Sequence, residues 1–336
     1  MGVMIVNDRY VSLLENYEID VLRTWKGRGA VLCETDQGIL ILKEYAGHKD
    51  KCAFQDALLH RIRENGFFHI ETIIRNKEGE LLTADPDGVC YILKTYFDGR
   101  ECNVKDRAEC ALAMETLAKM HKAGTMDSSL PALGKSYTVE EEFEKHNREL
   151  RRVRKFLKEK SQKTDFELYL MQCYDYFFRL ALQITEEYKE KSSDLDTGFH
   201  MAVVCHGDYQ HHNLIFTENT LNVMNFEKCV PDRPVRDIYL FMRKLLEKSD
   251  WSDAVGFQLL GAYEKGNKLE KEDYVQLYYR LAYPEKFWKI VNFYYNSGKA
   301  WIPGKNLEKL VKVHRQETEK NEFLKNYREK YGILTV

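Results

Sequence analysis

The sequence is most informative first in what it lacks. No run approaches the roughly eighteen consecutive apolar residues that a membrane-spanning helix needs. The opening stretch, "MGVMIVNDRYVSLLENYEID", follows a short apolar patch at once with charges, without a basic region or a small-residue cleavage site, so no secretory signal is expected. Net charge of one sign is missing too: 51 basic against 53 acidic side chains leave no field that would draw the chain to nucleic acid or an acidic membrane. Paired metal-binding or disulfide spacings are absent. The eight cysteines (Cys33, Cys52, Cys90, Cys102, Cys110, Cys173, Cys205 and Cys229) are scattered without a CxxC pair in a chain too long to need disulfide staples. Reduced, mostly buried thiols in a cytosolic setting are expected.

What is present suits a folded protein. At 336 residues the chain exceeds one average domain, so one two-lobed unit or two domains is the prior. Apolar residues at 44% and charged residues at 31% give material for a sizeable core and exclude disorder.

From Val21 to about Phe97 the pattern predicts five strands around one helix. "VLRTWKGRGAVLCETDQGILILKEYAG" reads as strands separated by a Gly27-x-Gly29 turn and an Asp-Gln-Gly hairpin turn. "KDKCAFQDALLHRIRENG" places Phe54, Leu58, Leu59 and Ile62 at helical spacing and stops at Gly66. Beyond Asp98-Gly99-Arg100 the period changes from two to about 3.6 and stays helical for most of the chain. A small lobe over residues 1–98 and a large, mostly helical lobe over 99–336 follow as the expected division. Residues 139–160 are densely charged, with Phe143, Leu150 and Leu157 seven apart. Two heptads are too few for a coiled coil, so this helix is expected to pack one narrow stripe on the body.

Between two apolar segments stands "VVCHGDYQHHNLIF". Asp208 precedes Asn213 by five residues, which lets both side chains enter one cleft from a single tight loop. The spacing matches the kinase catalytic loop, where the aspartate accepts a substrate proton and the asparagine binds a metal. Phosphoryl transfer from ATP also needs a lysine and Mg2+ on the phosphates. Lys43, within the apolar strand "ILILKEY", suits the first role, with Asp56 of the following helix as its candidate partner. The backbone around Tyr96 in "KTYFDGREC" closes the small lobe and is placed to hold an adenine. Downstream, Pro234 suits a helix's first turn and Asp237 lies just inside it, where it could complement the helix dipole or brace the loop.

Two parts depart from an active kinase. "WKGRGAV" lacks the G-x-G-x-x-G-x-V pattern. The strand after the loop reads Met224-Asn225-Phe226-Glu227, with asparagine where a magnesium-binding aspartate is expected, and a hard cation prefers the charge that asparagine lacks. Glu227 would share a strand face with Asn225 if the segment is extended, and could then supply that charge. His206, His211, His212 and Cys205 lack zinc-site spacing; His206 is expected to anchor the loop by hydrogen bonds. Tyr283, Phe287, Trp288, Phe293, Tyr294, Tyr295 and Trp301 could cage a quaternary ammonium, but their helical spacing favours core packing.

The order of strand lysine, hinge, "HGDYQHHN", "MNFE" and "RPVRDIYLFMRK" resembles the aminoglycoside phosphotransferase and choline kinase group of protein-kinase-like folds. The segments "RDIYLFMRKLLEKSDW", "LLGAYEKGNKLEKEDY" and "LAYPEKFWKIVNFYYNSGKAWIP" are similar, more closely, to the CotS-like spore coat proteins. The resemblance implies an α+β, protein-kinase-like bilobal fold, with a small antiparallel β lobe bearing one helix and a large helical lobe. It implies a protein of the mother-cell cytoplasm that ends in the spore coat among other coat proteins. Two functions stay open at this point. One is an ATP-dependent phosphotransferase acting on a hydroxyl-bearing small molecule or a protein, with Asp208 orienting the acceptor, Lys43 on phosphate, and Asn213 with Asn225 or Glu227 on Mg2+. The other is a coat component or scaffold with absent or impaired activity and weakened metal binding.

Overall fold

The computed structural model describes residues 8–27, 29–125, 138–195, 203–218, 220–296 and 303–333. The elements in chain order are α1 (Asp8–Leu14), β1 (Val21–Gly27), β2 (Ala30–Thr35), β3 (Gly38–Glu44), α2 (Lys49–Glu64), β4 (Ile73–Ile74), β5 (Thr83–Ala84), β6 (Cys90–Thr95), β7 (Arg100–Glu101) and α3 (Arg107–Ala123). Then come α4 (Val139–Glu159), α5 (Asp165–Leu195), β8 (Val203–Cys205), β9 (Leu214–Thr217), β10 (Thr220–Val223) and β11 (Val230–Asp232). The chain closes with α6 (Val235–Lys248), α7 (Asp253–Glu264), α8 (Lys271–Ala282), α9 (Glu285–Asn296), α10 (Pro303–Arg315) and α11 (Glu317–Tyr331). No described helix is long and apolar enough to cross a membrane.

Two compact units interleave along the chain instead of following one another. The first gathers residues 1–134, 201–240 and 260–268; the second gathers 135–200, 241–259 and 269–336. The loop containing Asp208 therefore belongs to the same unit as the strands before residue 98.

In the first unit, an antiparallel sheet runs β1-β2-β3-β6-β4, with β5 also paired to β6. Six strands form where five were expected, and "FHIETIIRN" and "ELLTAD" each contribute only two paired residues. Alternation buries Cys33, Leu40, Leu42, Tyr91 and Leu93 against Leu13, Leu14 and Tyr17 of the N-terminal segment. Helix α2 buries Phe54, Leu58, Leu59 and Ile62, the stripe its spacing demands. It ends at Glu64, and Gly66 then takes a φ of 85°.

A second set of strands carries the loop. β7, β9 and β10 form one antiparallel sheet, while β8 pairs with β11. Val223 accepts from the Glu71 amide at 3.2 Å and donates to the His69 carbonyl at 2.9 Å, so β10 is stitched to the segment preceding β4. Gly207 has a φ of 76°, and a Cβ there would collide with the Lys228 carbonyl. Only glycine fits between His206 and Asp208.

The second unit is helical and rich in rings. Helix α4 buries Val139, Phe143, Leu150, Val153 and Leu157 on one stripe and leaves its charges outside. Phe143 stacks on Tyr283 at 4.1 Å, and Phe177 stacks on Phe287 at 4.5 Å. Asn147, the polar member of the α4 stripe, donates to Thr185 at 2.8 Å and accepts from Tyr283 at 2.9 Å. These rings pack on one another as core. Trp288 stacks on His146 at 3.4 Å, Phe293 is exposed, and Trp301 lies outside the described residues. Seven of the eight cysteines are buried, and all are free thiols.

Candidate active site

The site is built in the first unit around two buried carboxylates, Asp237 and Glu71. Asp237 enters in the first turn of α6 and is fully buried. One oxygen accepts from the His206 amide at 2.6 Å and the other from the Gly207 amide at 2.8 Å. His121 of α3 meets the same carboxylate through Nε2 at 3.0 Å. Its Nδ1 faces the Tyr263 hydroxyl at 2.9 Å, to which Asn267 donates at 3.1 Å. Burial would push the Asp237 carboxyl up; His121 and the loop amides overcome this and hold it below the ordinary range.

The loop is locked from its own side as well. The Asp208 amide donates to His206 Nδ1 at 3.1 Å, so the proton sits on Nε2, which donates to the Met224 carbonyl at 2.9 Å. Tyr209, buried, donates to the Ala113 carbonyl of α3 at 2.7 Å. Asp208 is presented partly exposed, its Oδ2 paired with Lys228 at 2.9 Å and its Oδ1 accepting from Gln210. Asn213 is buried and donates to the Asp208 carbonyl at 2.8 Å.

His121, Cys205 and Asp237 bring three ligand-capable atoms together. Both oxygens of Asp237 already serve the loop, and Cys205 donates to the Arg233 carbonyl at 3.2 Å. The cluster reads as a brace. His206 is likewise engaged by the loop itself, not gathered with His211 and His212 around an ion.

The other half begins with sheet register. In the β3–β6 pair Lys43 stands opposite Ile92, and Ile41 opposite Lys94. Cross-strand partners share a face and so do alternate residues, which puts Lys43 and Lys94 on one side of the sheet. Both ammoniums reach Glu227 Oε1, Lys43 at 2.8 Å and Lys94 at 2.7 Å. Lys94, fully buried, also meets Glu71 Oε2 at 2.8 Å. Burial would lower the Lys94 ammonium's pKa, but the two carboxylates reverse this and raise it. Burial likewise pushes Glu227 up, and Lys94 and Lys43 bring it down to about 2.

Glu71 also fixes the segment that holds Asn225. Its oxygens accept from the Asn225 amide at 2.8 Å and the Phe226 amide at 2.9 Å, while Gln55 of α2 donates to it at 3.3 Å. These amides converge because Asn225 adopts a left-handed conformation, φ 70° and ψ 57°, before a 3-10 turn over Phe226–Lys228. Asparagine tolerates that conformation better than most residues.

This geometry corrects two expectations. The segment is not extended, so Asn225 and Glu227 do not share a strand face: Asn225 donates to Asn213 Oδ1 at 2.9 Å, and Glu227 turns to the lysines. Asp56 is not the partner of Lys43. Asp56, itself buried, pairs with Arg75 at 2.5 Å and meets His60 at 3.6 Å, and Glu227 takes the pairing with Lys43. Tyr96 follows β6 directly, and its amide donates to the Ile39 carbonyl at 2.9 Å.

Glu71, Lys94 and His121 escaped the sequence reading. The available signals were a glutamate and a lysine each embedded in apolar strand-like text, "FHIETII" and "VCYILKTYF", and a histidine on the apolar face of α3. Such isolated polar residues must find buried partners.

The donor set fits a divalent cation poorly as it stands. Asn213 and Asn225 offer neutral amides, one donating to the other, and the nearest carboxylate on the same turn is tied to two ammoniums. Mg2+ favours charged oxygen ligands. Lys43 is paired too, by the very carboxylate that would otherwise be the charged oxygen beside Asn225; a lysine–glutamate pair by itself is also a feature of working kinases.

A lysine-bearing antiparallel sheet and an Asp-x4-Asn loop braced by a helix-borne aspartate define a protein-kinase-like fold of the aminoglycoside phosphotransferase and choline kinase type. The chain belongs, within it, to the spore coat kinase family: the family model described as "Spore coat putative kinase YutH" matches residues 11–327. It is similar to spore coat protein S of Bacillus subtilis (strain 168), with 24% identity over 322 residues that cover 91% of this chain and 88% of that protein. Among solved structures it resembles an aminoglycoside phosphotransferase from Alicyclobacillus acidocaldarius, with a TM-score of 0.83 and 17% identity across 99% of this chain and 98% of that one. It also resembles the AMP-bound spectinomycin phosphotransferase APH(9)-Ia, with a TM-score of 0.65 and 15% identity across 93% and 95%. At these identities the structural likeness speaks for the fold.

Proposed function

We propose that this protein is a component of the spore coat, made in the mother-cell cytoplasm, that keeps the kinase fold for assembly with other coat proteins while its phosphotransferase activity is absent or impaired. The observation that carries this is the destination of the charges. In the reaction, carboxylates hold the metal and a lysine meets the phosphate. Here Asn225 has no charge to give, and Glu227 closes an ion pair with Lys43 at 2.8 Å. The pieces neutralise one another inside the protein.

An active phosphotransferase is the second reading, favoured by one observation: the loop that presents Asp208 is fully anchored by Asp237 and His206. In that reading Asp208 accepts the proton of an acceptor hydroxyl, on a small molecule or a protein. The two readings separate in one assay. With ATP and Mg2+ present, wild type and Asp208→Ala should release or transfer phosphate at the same background rate. A wild-type rate that drops by orders of magnitude in Asp208→Ala would establish the enzyme.

A further inference from the structure

We infer that the Glu227 carboxylate is an internal stand-in for a phosphate: it fills an anion position between Lys43 and Lys94, and removing its charge opens a site for a nucleoside triphosphate that needs no divalent cation. This deepens the reading of an inward-turned site, but concerns binding where that reading concerns turnover.

Glu71 pins the turn that carries Glu227 by accepting from the Asn225 and Phe226 amides, so the position of the turn does not depend on Glu227's own side chain. That side chain is 24% exposed, and Lys43 is 28% exposed; both border open space. Lys94 and Glu71 are 0% exposed and pair with each other at 2.8 Å. The four groups thus divide into a sealed pair, Lys94 with Glu71, and an accessible pair, Lys43 with Glu227.

Charge follows the same division. Two ammoniums and two carboxylates balance. Without the charge of Glu227, the sealed pair remains balanced and Lys43 alone is uncompensated, at the accessible end. Lys94 adds a second hydrogen-bond donor, since its Nζ already reaches Glu227 Oε1 at 2.7 Å. A phosphate oxygen placed where that carboxylate oxygen sits would meet both ammoniums in charge-assisted hydrogen bonds. No metal is required, because the lysines supply the positive charge. In wild type, a phosphate must displace or repel a carboxylate that two lysines hold ionised.

The test is calorimetric titration in EDTA, with ATP in one series and inorganic tripolyphosphate in the other, into wild type, Glu227→Gln, Glu227→Ala and Glu227→Gln/Lys43→Met. Both single variants should bind ATP at least about tenfold more tightly than wild type, the scale of one partly exposed charge contact, and the double variant should lose the gain. Alanine serves as the second variant because it places no amide against the lysines should glutamine perturb the fold. An equal gain for tripolyphosphate supports phosphate recognition. No gain in either single variant, a gain that survives Lys43→Met, or a gain for ATP without one for tripolyphosphate would overturn the inference. Asp208-dependent turnover in wild type would instead sink the proposed function and leave this result standing.

Discussion

The two halves of the candidate site use buried carboxylates in opposite ways. Asp237 is surrounded by backbone amides and a histidine, and its charge holds a loop in shape. Glu71 and Glu227 meet ammoniums, and their charge cancels that of Lys43 and Lys94, even as Glu71 also holds the Asn225 turn through two amides. The first arrangement preserves the form of a catalytic loop whether or not chemistry occurs. The second decides whether charge is left for a metal or a phosphate. On the proposed reading, the fold keeps its most recognisable motif intact while the charges beside it are spent on one another.

The sharpest way to break this comparison is Lys94→Met. It leaves the fully buried Glu71 without its ammonium and Glu227 with Lys43 alone, and should cost about 3–5 kcal/mol of stability in urea denaturation. Combining it with Glu227→Gln should restore part of that loss, since the two positions share one ion pair. Asp237→Asn comes next. It keeps the shape but turns one acceptor into a donor facing a backbone amide or His121, and about 2–3 kcal/mol should be lost. If this substitution proves neutral, the loop is held by something other than Asp237.

Acid should distinguish the halves through Glu227. Its folded carboxyl lies at about 2, below the ordinary unfolded value, so its stabilisation is fully present above that unfolded value. It is lost as pH falls through the folded one, between about 4.3 and 2. Wild type should lose up to about 3 kcal/mol across this window that Glu227→Gln does not lose; parallel curves for the two proteins would refute the pairing.

Asn225→Asp should act more mildly. It sets a carboxylate oxygen against Asn213 Oδ1 and should cost about 1 kcal/mol without metal, recovered when millimolar Mg2+ is added during a thermal melt. Asp56→Asn should do least. It can still accept from Arg75 across a half-exposed contact, so about 1 kcal/mol or less is expected, with ATP binding unchanged.

Much of this was legible because the controlling signals are local. Periodicity located α2, α4 and the strand β3, and the apolar flanks of "HGDYQHHN" located the loop. Helical spacing also placed Tyr283 and Phe287 in the core. What escaped depends on distant pieces meeting. Lys94 and Lys43 share a face only through the β3–β6 register, and Glu71 finds Asn225 from 154 positions away. One left-handed residue misdirected the reading of "MNFE": Asn225 breaks the two-residue alternation, and Glu227 then points to the lysines. Asp56 was misassigned because the carboxylate that meets Lys43 comes from a distant turn, at Glu227, while the α2 residue that turns to the site is Gln55, toward Glu71.

The central claim is that the charges a metal–nucleotide complex requires have been turned on one another. Its most direct test is calorimetric titration of ATP into wild type with and without Mg2+. The account expects Mg2+ to add no affinity, because Glu227, the carboxylate on the turn beside Asn225, is held by Lys43 and Lys94. An affinity that rises about tenfold or more on adding Mg2+ would contradict it and return the site to the working phosphotransferases.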